Sequence, residues 1–188
     1  MSRLDLLAGP NGAGKTTLFR HVIHVERPGL PFVNVDVIAA QRWPDDPSGN
    51  AYEAARIADQ TRRQLVEARI DFAAETVFSH PSKVEFVELA TAAGYDVVLH
   101  VVMIPLAMSV ARVERRAAAG GHTVPHAKLA PRYARLWPLI VEAVPRCHRA
   151  VFYDNTDDTI RIAASFERGV PTEAPMWPSW CPEPLRSL

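Results

Sequence analysis

Gly9-Pro10-Asn11-Gly12-Ala13-Gly14-Lys15-Thr16 decides how the rest of the chain is read. Three of the nine glycines fall within six positions, and one of only three lysines follows directly, in a chain with eighteen arginines. The spacing is G-x-x-x-x-G-K-[ST], a pattern with a mechanism. Backbone N–H groups must turn inward around phosphate oxygens, and glycine reaches the positive φ that this demands. The helix that follows offers unpaired N–H groups and the positive end of its dipole. Lys15 is then placed to reach the β- and γ-phosphates of a nucleotide, and the Thr16 hydroxyl to ligate Mg²⁺. The expected nucleotide contacts are Gly9, Pro10, Asn11, Gly12, Ala13, Gly14, Lys15, Thr16 and Thr17, with ATP and Mg²⁺ as cofactors.

Outward from the loop, the chain alternates strands and helices. Leu4 to Ala8 is a short apolar run leading into the loop, and Lys15 to Arg27 has helical spacing. Phe32 to Asp36 predicts a second strand, followed by a polar loop from Arg42 to Asn50. Helical spacing then runs from Ala51 to Arg69, with Asn50 as N-cap. Ile70 to Thr76 predicts strand three, and Ser82 caps a helix ending near Ala93. Tyr95 to Ile104 is nearly all apolar, as a central parallel strand should be. A helix from Leu106 to Ala119 leads to Gly120-Gly121, then come helical segments carrying Pro131 and Pro138 and a strand at Ala150–Tyr153. Ile160 to Phe166 predicts an edge strand. The expected fold is α/β: a three-layer P-loop NTPase, nucleotide-kinase-like, with a mainly parallel sheet of five to six strands and an arginine-bearing lid. Residues 1–170 are expected to form the kinase domain. Residues 171–188, with five prolines and two tryptophans, read as a tail packed on it.

Composition bounds the function. With 188 residues, 48% hydrophobic and 22% charged, the chain can bury one core. Basic and acidic side chains balance at 21 each, which argues against a generic nucleic-acid or membrane-surface binder. The two cysteines give no disulfide framework, and the start carries no charged leader with a long apolar stretch, so a cytoplasmic setting is expected. The neutral total hides a cationic arm: residues 112 to 149 hold eight basic side chains against Glu114 and Glu142.

The central strand Tyr95 to Ile104 ends at Pro105 rather than in an acid, and no guanine-specificity motif stands out, which favours the small phosphotransferases over motors and switches. These need the loop, a base for the acceptor hydroxyl, and arginines around the transferring group. Asp36 ends the predicted second strand and Glu75 the third, both on the carboxyl edge of the sheet, where ligands bind in open α/β folds. Asp36 there reads equally as a base or as a turn or cap residue. Arg112 and Arg116 lie four apart and share a helix face. Arg132 lies beyond Gly120-Gly121, a candidate hinge. His80 is near Glu75 and reads as lining the acceptor pocket. Trp43 suits either stacking on a base or sugar or plain packing, and His122 reads as a structural lid residue.

In order, these pieces resemble the zeta toxin-like P-loop kinases: Gly9 to Thr16, Asn34-Val-Asp36, Glu75-Thr76, Arg112 through Arg116 to Gly120-Gly121-His122-Thr-Val-Pro125, Arg132-Tyr133, and Tyr153-Asp154-Asn155. The resemblance covers roughly residues 3 to 155. It implies an ATP-dependent kinase acting on a hydroxyl of a sugar or nucleotide sugar, UDP-N-acetylglucosamine in the best-known members. By matched position, Asp36 would be the general base, Glu75 a substrate contact, Lys15 and Thr16 the ATP–Mg²⁺ ligands, and Arg116 and Arg132 the residues on the transferring phosphates. Thr76, His80 and Arg112 join Glu75 as expected substrate contacts. The chain starts at its first strand, without the helical extension through which those toxins meet their antitoxin, so the resemblance allows an antitoxin partner without requiring one. Other acceptors (an antibiotic, a sugar acid, a nucleoside) and an ATP-dependent binding module remain alternatives.

Overall fold

A strand buried on both faces must be covered by helices on both sides, and β1, Arg3–Ala8, has five buried residues out of six. In the computed structural model, residues 2–119, 125–157 and 159–188 are described. Phe32–Val33 forms β2, Phe72–Thr76 β3, Asp96–Met103 β4, Arg149–Asp154 β5, Arg161–Glu167 β6 and Val170–Pro171 β7. These strands make one sheet in the order β2-β3-β1-β4-β5-β6-β7, parallel through β5 and antiparallel beyond. The chain winds from β1 outward past β3 to β2, and later returns past β1 to β4. The carboxyl end of β1 is therefore the switch point where a crevice opens.

Helices cover both faces. Lys15–Leu18 (α1), a π-helical turn over Phe19–Ile23 and His24–Glu26 (α2) lie on one side, where Leu7, Ala73, Val102 and Val151 are buried with Phe19 and Ile23. The other face carries Leu4, Leu6, Phe72, Leu99 and Phe152 against Ala51–Glu67 (α4), Ser82–Ala92 (α5) and His126–Ala143 (α7). Alternation along β1 splits Leu4 and Leu6 from Asp5 and Leu7 onto opposite faces. Asp5 is wholly buried and bonded to Arg3, Arg27 and His100. Burial pushes its carboxyl up, but the bonds from His100 and Arg3 outweigh this and hold it below the ordinary range.

The sheet has one more strand than expected. Arg168 and Gly169 both take positive φ, as a two-residue type I′ hairpin requires, and the turn folds Val170–Pro171 back onto β6. Beyond it, the Trp177 ring meets the Phe152 ring edge-on at 5.2 Å, and Leu185 is fully buried. Pro131 and Pro138 lie within the single helix α7, both on its exposed side, where the carbonyls they free can meet water.

Strand two is shorter than its sequence suggests. β2 ends at Val33 and a helix, α3, occupies Val35–Arg42, where the sequence predicts a strand lasting to Asp36 and a loop beginning at Arg42. The cause is Asn34, whose side-chain oxygen accepts from Asp36 N at 2.8 Å and Val37 N at 3.2 Å. This is a helix N-cap, and it places Asp36 in the first turn of α3. Asn50 and Ser82 make no capping bond; the Asn50 amide donates instead to the Asp46 carbonyl, and Ser82 is the first residue of α5. Among the described residues no helix is long and apolar enough to cross a membrane.

Candidate active site

The loop after β1 is built by close approach. Gly9 has φ 143°, and a Cβ placed there would lie 2.3 Å from the Val102 carbonyl oxygen on β4. That contact is backbone against backbone and cannot be relieved by a rotamer change. A Gly9→Ala substitution is accordingly expected to destabilise the fold by about 2 kcal/mol or more, measured as a lower denaturant midpoint. Side chains from elsewhere hold the loop's carbonyls. Ser109 Oγ donates to Asn11 O at 2.7 Å, Asn155 Nδ2 to Ala13 O at 2.7 Å, and Arg112 to Gly12 O at 3.3 Å and Asn155 O at 3.0 Å. Within the loop, Ala13 N donates to Pro10 O at 3.2 Å.

Lys15 is 6% exposed. Its Nζ donates to the carbonyls of Gly9 at 3.0 Å and Pro10 at 2.9 Å, and lies 3.7 Å from Glu75 Oε1. Burial pushes its pKa down, while Glu75 and Asp36 oppose that shift. Glu75, near the end of β3, is shared. Its Oε2 accepts from Thr16 Oγ1 at 2.7 Å and from Asn34 Nδ2 at 2.8 Å. One carboxylate thus ties the helix after the loop, the cap of α3 and the buried lysine together.

Next to the loop is a cavity of about 290 Å³. Asn11, Gly12 and Lys15 form its phosphate side, and Asp36, Glu75, Thr76, His80, Arg116 and Arg132 also line it. Arg116 comes from Leu106–Ala118 (α6) and lies 3.9 Å from Asp36 Oδ2. Its Nε is buried and has no hydrogen-bond partner among the described residues. His80 Nδ1 accepts from Ser82 N at 3.2 Å, so in the neutral ring Nε2 carries the proton. The structure therefore brings together Lys15, Thr16, Asp36, Glu75, Thr76, His80, Arg116 and Arg132. Arg112 lies outside the cavity lining, beneath the loop, and Thr17 is exposed on the first helical turn. Gly120, Gly121 and His122, read as the hinge and lid, lie outside the described residues.

Four contributors were not read as site residues in the sequence. Asn34 carried a usable signal, because asparagine before an acidic first turn is an N-cap pattern. Ser109, and Arg62 of α4 and Lys83 of α5, which line the cavity, carried none: each acts through a contact with a residue distant in the chain or through a cavity formed only in the fold.

The AAA domain family matches the sequence over residues 4–139, which takes in the loop, Asp36, Glu75, Arg116 and Arg132. The chain belongs to this family. No curated protein matches the sequence of this AAA domain. Among solved structures, the AvrRxo1-ORF1:AvrRxo1-ORF2 complex with sulphate ions is similar at a TM-score of 0.75 and 17% identity, covering 93% of this chain and 61% of the other. The same complex with ATP is similar at 0.61. The PezAT chromosomal toxin–antitoxin system of Streptococcus pneumoniae gives 0.62 at 17% identity, covering 82% and 69% of the two chains. Shikimate kinase from Acinetobacter baumannii, in complex with shikimate, gives 0.53 at 18%, covering 85% and 86%. This AAA domain thus spans about 61% of the AvrRxo1 chain it matches. At these identities the likeness is one of fold, and the fold is that of the P-loop kinases, as the zeta toxin-like resemblance implied.

The residues fit a nucleotide. The loop's carbonyls are already taken up, its Asn11, Gly12 and Lys15 line a cavity, and the Arg116 Nε–H there is buried with no acceptor among the described residues. For Mg²⁺ the Thr16 hydroxyl and Glu75 carboxylate offer hard oxygen donors.

Proposed function

We propose that this AAA domain is an ATP-dependent phosphotransferase that moves the ATP γ-phosphate to a hydroxyl of a small molecule, a sugar or nucleotide sugar being the expected kind. The observation that carries this reading is the cavity opening off the phosphate loop with Asp36, Arg116 and Arg132 in its wall. A nucleotide switch needs the loop but has no use for a carboxylate and two arginines around a small-molecule space. ATP with Mg²⁺, when bound, supplies the phosphoryl group and the ADP leaving group.

The chain's own side chains supply positioning and charge, which is most of what phosphoryl transfer asks of a protein. The loop N–H groups and Lys15 bind phosphate oxygens, and Thr16 serves the cation. Arg116 and Arg132 offset negative charge as it spreads over the transferring group. Asp36 accepts the proton of the acceptor hydroxyl as the new oxygen–phosphorus bond forms. Glu75 acts as a positioning residue as well as an expected substrate contact, since its bonds set Thr16 and the start of α3.

At about 290 Å³ the cavity is at the lower end of small-molecule sites, roughly 300–1,000 Å³, and suits a monosaccharide-sized acceptor. A nucleotide sugar would continue into the broader groove along α4, which shares His80, Lys83 and Arg132 with the cavity. Incubating the protein with ATP, Mg²⁺ and a panel of sugars and nucleotide sugars should give a singly phosphorylated product by mass spectrometry. A panel that stays unphosphorylated overturns the sugar assignment. An antitoxin-like protein partner is supported only by the likeness to structures of two-protein complexes.

A further inference from the structure

The cavity holds more positive charge than phosphoryl transfer explains. Lys15, Arg116 and Arg132 account for the transferring phosphates, yet Arg62 of α4 and Lys83 of α5 also line it. They form a separate group, joined through Asp59, whose Oδ1 lies 3.0 Å from Arg62 NH2 and 3.7 Å from Lys83 Nζ, whereas Lys15 is paired with Glu75. Lys83, like His80 and Arg132, also lines the groove along α4, so its end of the cavity is the outer one, continuous with that groove.

This second group is built and underpaired. The Arg62 side chain is 5% exposed, packed 5.7 Å over the Phe86 ring, with one hydrogen bond among the described residues, from NH2 to Asp59 Oδ1 at 3.0 Å. Arg63 Nε reaches Asp59 Oδ2 at 3.2 Å and Lys83 Nζ reaches Oδ1 at 3.7 Å. Three cations therefore converge on one carboxylate, their only ion-pair partner among the described residues. Burial lowers the pKa of both Arg62 and Lys83, and their mutual repulsion lowers that of Lys83 further, so each would gain from a second anion. Burying a charge is costly unless it is paired, and a guanidinium fork with spare donors facing a cavity suits the planar oxygens of a carboxylate or the oxygens of a phosphate.

We propose that Arg62 and Lys83 form an anion site at the outer end of the acceptor cavity, and that the acceptor is a small hydroxy compound bearing a carboxylate or phosphate group that docks there. The assignment of an acceptor rests on the phosphotransferase reading; the anion site itself does not. Asp36, at the phosphate side, then meets the hydroxyl while the anion fixes which end of the acceptor faces it. An acceptor held at two ends loses the orientational freedom that otherwise slows transfer.

The experiment measures binding and turnover separately on the full chain, with three probes built on one hexose ring: glucose, glucuronate and glucose 6-phosphate. By calorimetry, at least one charged probe should bind about tenfold or more tighter than glucose, and the tighter of the two names the anion as carboxylate or phosphate. In Lys83→Gln and in Arg62→Gln that preference should shrink to near unity while ATP affinity holds. Arg62→Lys, which keeps the charge, should restore part of it. Equal binding of charged and neutral probes, no binding of either charged probe at millimolar concentration, or an undiminished preference in both glutamine variants overturns the proposal. Should Arg62→Gln fail to fold, the more exposed Lys83 still decides it. If the charged probe binds as expected yet no hydroxy acid or sugar phosphate is ever phosphorylated, the phosphotransferase reading fails and the anion site stands.

Discussion

Asp36→Asn is expected to cut the rate of phosphoryl transfer by about 10²–10⁴-fold while ATP binds as before, the range over which a positioned general base contributes. Asparagine keeps the shape of the side chain and its place in the first turn of α3, capped by Asn34. It keeps an oxygen to face Arg116, which lies 3.9 Å from the native carboxylate. What it lacks is the ability to take up a proton. Losing an acidic residue from the first turn costs the helix only about 0.3–1 kcal/mol, so the variant should fold. Transfer rate by coupled assay and ATP affinity by calorimetry check the two halves separately. Wild-type turnover in the variant would remove Asp36 from the role of base.

Lys15→Ala should be as damaging for a different reason. The ammonium is buried against the Gly9 and Pro10 carbonyls, where its charge acts with little screening by water. Removing a donor of this kind from a developing anion costs about 10²–10³-fold in rate. The fold should survive, because Glu75 keeps its bonds from Thr16 and Asn34 and the cost of burying the ammonium is lifted. The cleanest reading is thermal. ATP stabilises a protein that binds it by RT ln(1 + [L]/Kd), so the melting temperature of the native protein should rise with ATP–Mg²⁺ and that of the variant should rise far less. An equal rise in both would end the assignment of this loop to ATP.

The sequence exposes those parts of the site whose chemistry is local. Glycines at fixed offsets followed by Lys15 locate the phosphate loop, since turn geometry and charge reside in eight consecutive residues. Alternation of apolar strands and helices places Asp36 and Glu75 on one edge. The helix at Val35–Arg42 escaped because an apolar run reads as strand or helix alike, and a single cap at Asn34 decides between them. Arg62 was invisible for a geometric reason. It adjoins Arg63 in sequence, but neighbours on a helix point about 100° apart, so one side chain is 5% exposed and the other 46%. Nothing in the pair tells which of the two turns inward. The same holds for Glu75, whose partners Thr16 and Asn34 lie 59 and 41 residues away.

That shared carboxylate has a thermodynamic corollary. One oxygen of Glu75 accepts from both Thr16, on the nucleotide side, and Asn34, which caps the helix bearing Asp36. The two halves of the site are thereby joined at a single atom. A nucleotide that draws Thr16 away from Glu75 alters the hold on α3, and an acceptor that turns α3 alters the hold on Thr16. Linkage makes such effects reciprocal: whatever factor the first ligand imposes on the affinity for the second, the second returns to the first. Order of addition would then be a matter of concentration, and the affinity for either partner would have meaning only at a stated occupancy of the other.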